Sequence, residues 1–235
     1  MLDDPVVRVM VFVSLGLVLL FLATVIGVLL TGVATPTGPR SSVEKDLLVA
    51  AAGLRGATGE AQSSYIEALV QAGNLPAARA ALMQARASVP ATAQPAPDLD
   101  LAEARLNMKA RDYEKAVALA DTAMAGYKTK LEAAIARSKD STKTTTPSLR
   151  PNYYSAALVK AYALVQLGRF KDAIPAFDIY IRVTPTASDI FIDRGNAKLK
   201  IGDKAGAEKD FREALKYVPY DADAKAGLEK IGVAQ

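Results

Sequence analysis

The chain has 235 residues and contains no cysteine, no histidine and no tryptophan. Those absences exclude a disulfide framework, a thiolate nucleophile, a cysteine or histidine zinc site and any histidine-based triad. With 29 basic and 25 acidic residues the net charge is +4, spread along the chain and not gathered into the dense basic stripe that nucleic acid requires. The apolar half of the composition is poor in aromatics and rich in alanine, leucine and valine, which points to helices packed through small side chains. No cofactor, metal site or nucleic-acid partner is expected, and no catalytic constellation is visible.

Residues 1–8 form a short tail, and residues 9–33 read as a transmembrane anchor. From Val9 to Leu30 the only hydroxyls are Ser14 and Thr24, and no charge interrupts the run. About 22 residues at roughly 1.5 Å each match a hydrocarbon core of about 30 Å. A cleavable signal peptide is the competing reading. It fits less well, because Asp3 and Asp4 occupy the n-region and Gly32-Val33-Ala34 is a weak cleavage site. Ala23 and Gly27 form one small-xxx-small pair that could seat a neighbouring helix. Lys and Arg counts on the two flanks lean toward a cytoplasmic C-terminal domain. The short N-terminal tail and the stalk-like linker at 34–40 tip the balance slightly toward an extracytoplasmic one, in a bacterial-type cell membrane.

Residues 41–56 predict a covering helix. Ser41 and Glu44 have capping-box spacing, and Val43, Leu47, Leu48 and Ala51 share one face. Gly53, Gly56 and Gly59 follow, with no strand before them and no Lys-Ser/Thr pair after them, so they mark a helix break and not a phosphate loop.

Beyond Gly59 the chain repeats. Gly168 to Gly202, Ala173 to Ala207, Phe177 to Phe211 and Pro185 to Pro219 are each 34 residues apart. This pattern resembles the tetratricopeptide repeat, a pair of antiparallel helices with small residues at the crossing and a closing proline. Units are predicted at 59–90, 97–128, 154–185 and 188–219, the last two carrying the pattern most fully. In the unit at 97–128, Arg111 replaces the turn glycine and Lys128 the closing proline, so its second helix is expected to continue to about Arg137. Pro175 is expected early in a second helix, where the first-turn N–H groups lack partners. Residues 138–151 are polar and aperiodic and read as a mobile insertion; 221–235 read as a capping helix and tail.

The fold expected is therefore all-α, an N-terminal single transmembrane helix followed by a superhelical solenoid. The resemblance implies a concave face, lined by the first helix of each pair, that holds a protein or peptide partner. On that face the alignment places Leu101, Arg105, Met108 and Lys109, then Leu158, Tyr162, Val165 and Gln166, then Ile192, Asn196, Leu199 and Lys200. The first unit adds Glu67, Val70 and Gln71. Some members of the family clamp a terminal carboxylate with lysines and asparagines; here only Asn196 sits in a comparable slot, and Leu158, Val159 and Asp193 stand where polar or basic groups would be needed. Asp189 and Asp193 lie one helical turn apart and read as a solvated helix end.

Overall fold

The computed structural model describes residues 59–89, 96–137 and 149–233. The predicted tail, anchor, linker, covering helix and most of the insertion lie outside the described residues.

Among the described residues there are nine helices and no strand: α1 Glu60–Gln71, α2 Leu75–Ser88, α3 Pro97–Lys109, α4 Tyr113–Arg137, α5 Leu149–Gln166, α6 Phe170–Ile181, α7 Ser188–Lys200, α8 Lys204–Tyr217 and α9 Ala222–Lys230. None of them is long and apolar enough to cross a membrane.

One three-residue turn joins each of the four helix pairs. Its middle residue is left-handed: Gly73 (φ 76), Arg111 (φ 62), Gly168 (φ 73) and Gly202 (φ 83). The next residue donates its N–H to a carbonyl five positions back, Asn74 to Leu69 (3.0 Å), Asp112 to Asn107 (2.9 Å), Arg169 to Leu164 (2.8 Å) and Asp203 to Lys198 (3.0 Å). This satisfies carbonyls that a helix end would otherwise leave unpaired. At three turns that same residue also caps the second helix through its side chain: Asn74 accepts from the Ala77 N–H, Asp112 from Lys115 and Asp203 from Gly206. Stop and start are thus written into three residues, which forces the two helices antiparallel.

Each first helix packs on its own second helix, and each second helix packs on the next first helix, so the pairs stack. Alanines fill the crossings: Ala78, Ala116, Ala161, Ala173 and Ala207 are completely buried. The absence of bulk there lets backbones approach, and Phe177 and Phe211, also fully buried, plug the spaces beside them. Burying each such ring contributes on the order of 1.5–3 kcal/mol.

Two segments differ from the sequence expectation. α5 starts at Leu149, five residues before Tyr154, so the last three residues of the expected insertion are helical. Pro151 is tolerated there because a first-turn N–H has no helical acceptor. Pro175, by contrast, is the sixth residue of α6, beyond the first turn, and costs that helix one backbone hydrogen bond. α4 runs to Arg137, nine residues past Lys128, where no proline stops it.

α4 packs directly on α5, so the second and third pairs stack. Leu101, Ala123, Tyr127 and Ala156 form the core at this junction. The Tyr127 hydroxyl donates to Asp98 at 2.8 Å, and the Asn152 amide reaches the same carboxylate at 3.3 Å. Burial, then the adjoining Asp98, hold the Tyr127 hydroxyl well above the usual phenol range.

Ion pairs bridge the helices. Arg86 of α2 reaches Asp100 (2.9 Å) and Glu103 (2.6 Å) of α3. Arg194 of α7 meets Asp178 of α6 (2.5 Å) and Asp210 of α8 (2.6 Å), and Lys198 adds a contact to Asp210 at 2.8 Å. α9 closes the stack against α8 and α7 through Ala224, Gly227 and Leu228.

Candidate functional site: a hollow on the inner face

The first helices α1, α3 and α5 lie side by side, with α3 touching both neighbours. Between them opens a hollow with a cavity volume of about 470 Å³. α1 supplies Glu67, Val70 and Gln71, α3 supplies Arg105, Met108 and Lys109, α5 supplies Val159, Tyr162 and Gln166, and Tyr113 enters from the start of α4. The helical period explains the set: residues three and four apart share a face, and the turns hold the three helices in one register.

The floor is apolar, from Val70, Met108, Val159 and the Tyr162 ring. That ring is fixed at both ends. Its hydroxyl donates to Asp193 of α7 at 2.7 Å, and the ring forms a T-shaped pair with Phe177, centroids 5.6 Å apart. Burial, then the bond to Asp193, push the hydroxyl far above the normal phenol range, so it stays a donor. Along one wall Glu67 pairs with Arg105 across α1 and α3. Burial raises the Glu67 carboxyl above the ordinary carboxylate range, with Arg105 acting in the opposite direction. Lys109, Gln71 and Gln166 are exposed, and none of the three pairs with another described side chain.

Eight residues placed on the inner face by sequence therefore line one hollow: Glu67, Val70, Gln71, Arg105, Met108, Lys109, Tyr162 and Gln166. The others do not join them. Leu101 is 2% exposed and belongs to the α3–α4–α5 core with Ala123, Tyr127 and Ala156, where stacking of the two pairs takes it from the open face. Ile192 is 6% exposed and lies in one core with Phe191, Phe211 and Leu228; α9 covers the surface on which a further repeat would otherwise pack. Leu158 and Val165 are half-buried against the α5–α6 core, and Leu199 against the α7–α8–α9 core. Asn196 and Lys200 are exposed on α7, outside the hollow.

Tyr113 is not among the residues expected on the inner face, and Val159 is named there only as a clamp slot. Val159 follows Leu158, and a one-residue difference in helix rotation decides which of the two faces inward. Tyr113 begins a second helix and reaches the hollow past the turn, which no first-helix pattern reveals. Asp193 also departs from the solvated reading. It is half-buried, accepts from Tyr162, and its carboxyl is raised by burial, against the Tyr162 bond, with Asp189 and Asp223 adding to the rise. Among the described residues no group of acids is arranged to hold a metal ion.

These features define an all-helical, tetratricopeptide-type solenoid. Residues 101–189 match the family model described as tetratricopeptide repeat. No curated protein sequence matches the chain. Among solved structures, the APC/C hetero-tetramer Cut9-Hcn1 is similar over 79% of this chain and 32% of that one, with 14% identity and a TM-score of 0.61; this chain thus spans about a third of its length. The RS-1 ArsTM double mutant of MamA is similar over 75% of this chain and 84% of that one, at 16% identity and a TM-score of 0.56. A tetratricopeptide repeat protein from Parabacteroides merdae is similar over 73% and 59%, at 18% identity and 0.54. At such identities the likeness is one of fold, a helical repeat solenoid.

Proposed function

We propose that this chain is a membrane-tethered scaffold that binds a segment of a protein partner in the hollow between α1, α3 and α5, in the assembly or quality control of membrane-associated proteins. The observation that supports the reading is the hollow itself. An apolar floor ringed by polar groups, built on rigid packed helices, is the ordinary design of a recognition site. Tethering would come from the apolar run Val9–Leu30, which would confine the site to the membrane surface and raise its effective concentration toward membrane-bound partners. The reading assigns the chain no catalytic step.

A second reading makes the chain an accessory subunit held in a membrane complex through residues 9–33, and the small-residue pair Ala23 and Gly27 favours it. Exchanging Val9–Leu30 for an unrelated apolar helix separates the two. Partner association that survives the exchange supports the hollow. Association lost despite proper insertion supports the subunit reading. Because the chain has no cysteine, one introduced by Thr145→Cys and treated with a membrane-impermeant maleimide reports the side. Labelling of intact cells is expected, on the reading that the repeats face outward.

A further inference from the structure

The charges around the hollow are not balanced. Glu67 and Arg105 satisfy each other across the wall, leaving Lys109, one helical turn beyond Arg105 on α3, as a cation with no acidic partner among the described residues. Gln71 and Gln166 flank the same space with amide donors that engage no other described side chain. A basic group entering here would have to compete with Arg105 for Glu67. An acidic group finds one free ammonium and two carboxamides.

We propose that the hollow takes an internal protein segment bearing large apolar side chains and an aspartate or glutamate, and that Lys109 is the residue that reads this carboxylate. The inference rests on the reading of the hollow as a recognition site. The volume of about 470 Å³ suits more than one apolar side chain, since a cavity of about 150 Å³ already holds a benzene ring. Met108 is the adaptable part of the floor and the braced Tyr162 ring the fixed part. A single free cation suits a side-chain carboxylate at the rim. A chain terminus would want a second unpaired cation, and Arg105, the other cation of the lining, is held by Glu67.

The test uses the full chain in detergent micelles and a displayed library of random 12-residue peptides, followed by synthetic, C-terminally amidated copies in fluorescence anisotropy. Selected peptides are expected to combine two large apolar residues with an Asp or Glu. Changing that acid to its amide should weaken binding about threefold, or ~0.65 kcal/mol, within the range of an exposed ion pair. In the Lys109→Glu variant the preference should invert, the peptide with lysine at the acid position binding more tightly. Gln71→Glu, on another helix, should weaken the acidic peptide in the same direction. Peptides that lose binding in Val159→Arg yet ignore both the peptide acid and Lys109→Glu would overturn the carboxylate assignment alone. Binding that survives Val159→Arg, or no selected peptide at all, would overturn the reading of the hollow and this proposal with it.

Discussion

Gly227 of α9 lies directly over the ring of Phe211 of α8: a Cβ on Gly227 would stand 2.5 Å from Phe211 Cζ and 2.6 Å from Cε1 and Cε2. A Cβ on Gly195 of α7 would stand 2.9 Å from Cε1 of the same ring. The phenylalanine is thus enclosed between two glycines on different helices, and the terminal helix docks only because one of them has no side chain.

Gly227→Ala should therefore lift α9 off the stack and cost about 1–3 kcal/mol, the usual penalty of overpacking. Thermal unfolding of the full chain should show a lowered midpoint. Adding Phe211→Leu should recover part of the loss, because the smaller side chain frees the space the new methyl needs. Equal or greater destabilisation in the double variant would count against the contact.

Arg111 holds the left-handed turn conformation that glycine holds in the other three turns. For a residue with a Cβ that conformation costs about 1 kcal/mol, so Arg111→Gly should raise the urea midpoint, and Gly168→Ala should lower it. Part of the gain in Arg111→Gly is offset by the greater freedom of glycine in the unfolded chain. A midpoint that falls in Arg111→Gly would show that the arginine side chain stabilises the turn by more than its backbone costs.

Asp210 is 1% exposed and is held by Arg194 through two hydrogen bonds, at 2.6 and 2.9 Å, and by Lys198 at 2.8 Å. Asp210→Ala would leave the Arg194 and Lys198 charges without it, and a loss of about 3–5 kcal/mol in urea unfolding is expected. Asp210→Asn keeps the acceptor oxygen and should cost less.

The Asp193 carboxyl is raised in the fold, mainly by burial, with Asp189 and Asp223 adding to the rise and the Tyr162 hydroxyl, donating to it, opposing. A carboxyl raised on folding binds its proton more tightly in the native state. Its ionisation therefore lowers stability as pH rises from the ordinary carboxylate value through the folded one, and the cost persists at neutral pH. Asp193→Asn preserves an acceptor for Tyr162 while removing the charge. It should be more stable than the parent at pH 7, with the difference shrinking as pH falls through the carboxylate range. A difference independent of pH would locate the effect in packing.

Much of the architecture was legible because it is periodic. Four residue types at a 34-residue offset give the pairing of helices, the turn and the crossings, and each has a local physical cause. The inner face was legible where a residue's role depends only on its rotation about its own helix, as for Arg105, Met108 and Tyr162. It was not legible where a neighbour decides. Leu101 and Ile192 occupy groove positions by count, but the Tyr127 side chain and α9 claim them for the core.

By itself, then, the sequence determined which segments coil, where they turn, and that small residues must lie where helices cross, because these follow from backbone conformation and side-chain size within a few residues. Only the tertiary structure decided which of Leu158 and Val159 faces the hollow, that Arg194 and Lys198 neutralise a buried Asp210, and that Glu67 and Arg105 pair across two helices while Lys109 has no acidic partner among the described residues. Those outcomes depend on small rotations and on competition for charge between helices far apart in the chain, where electrostatic pairing acts through space and leaves no local pattern.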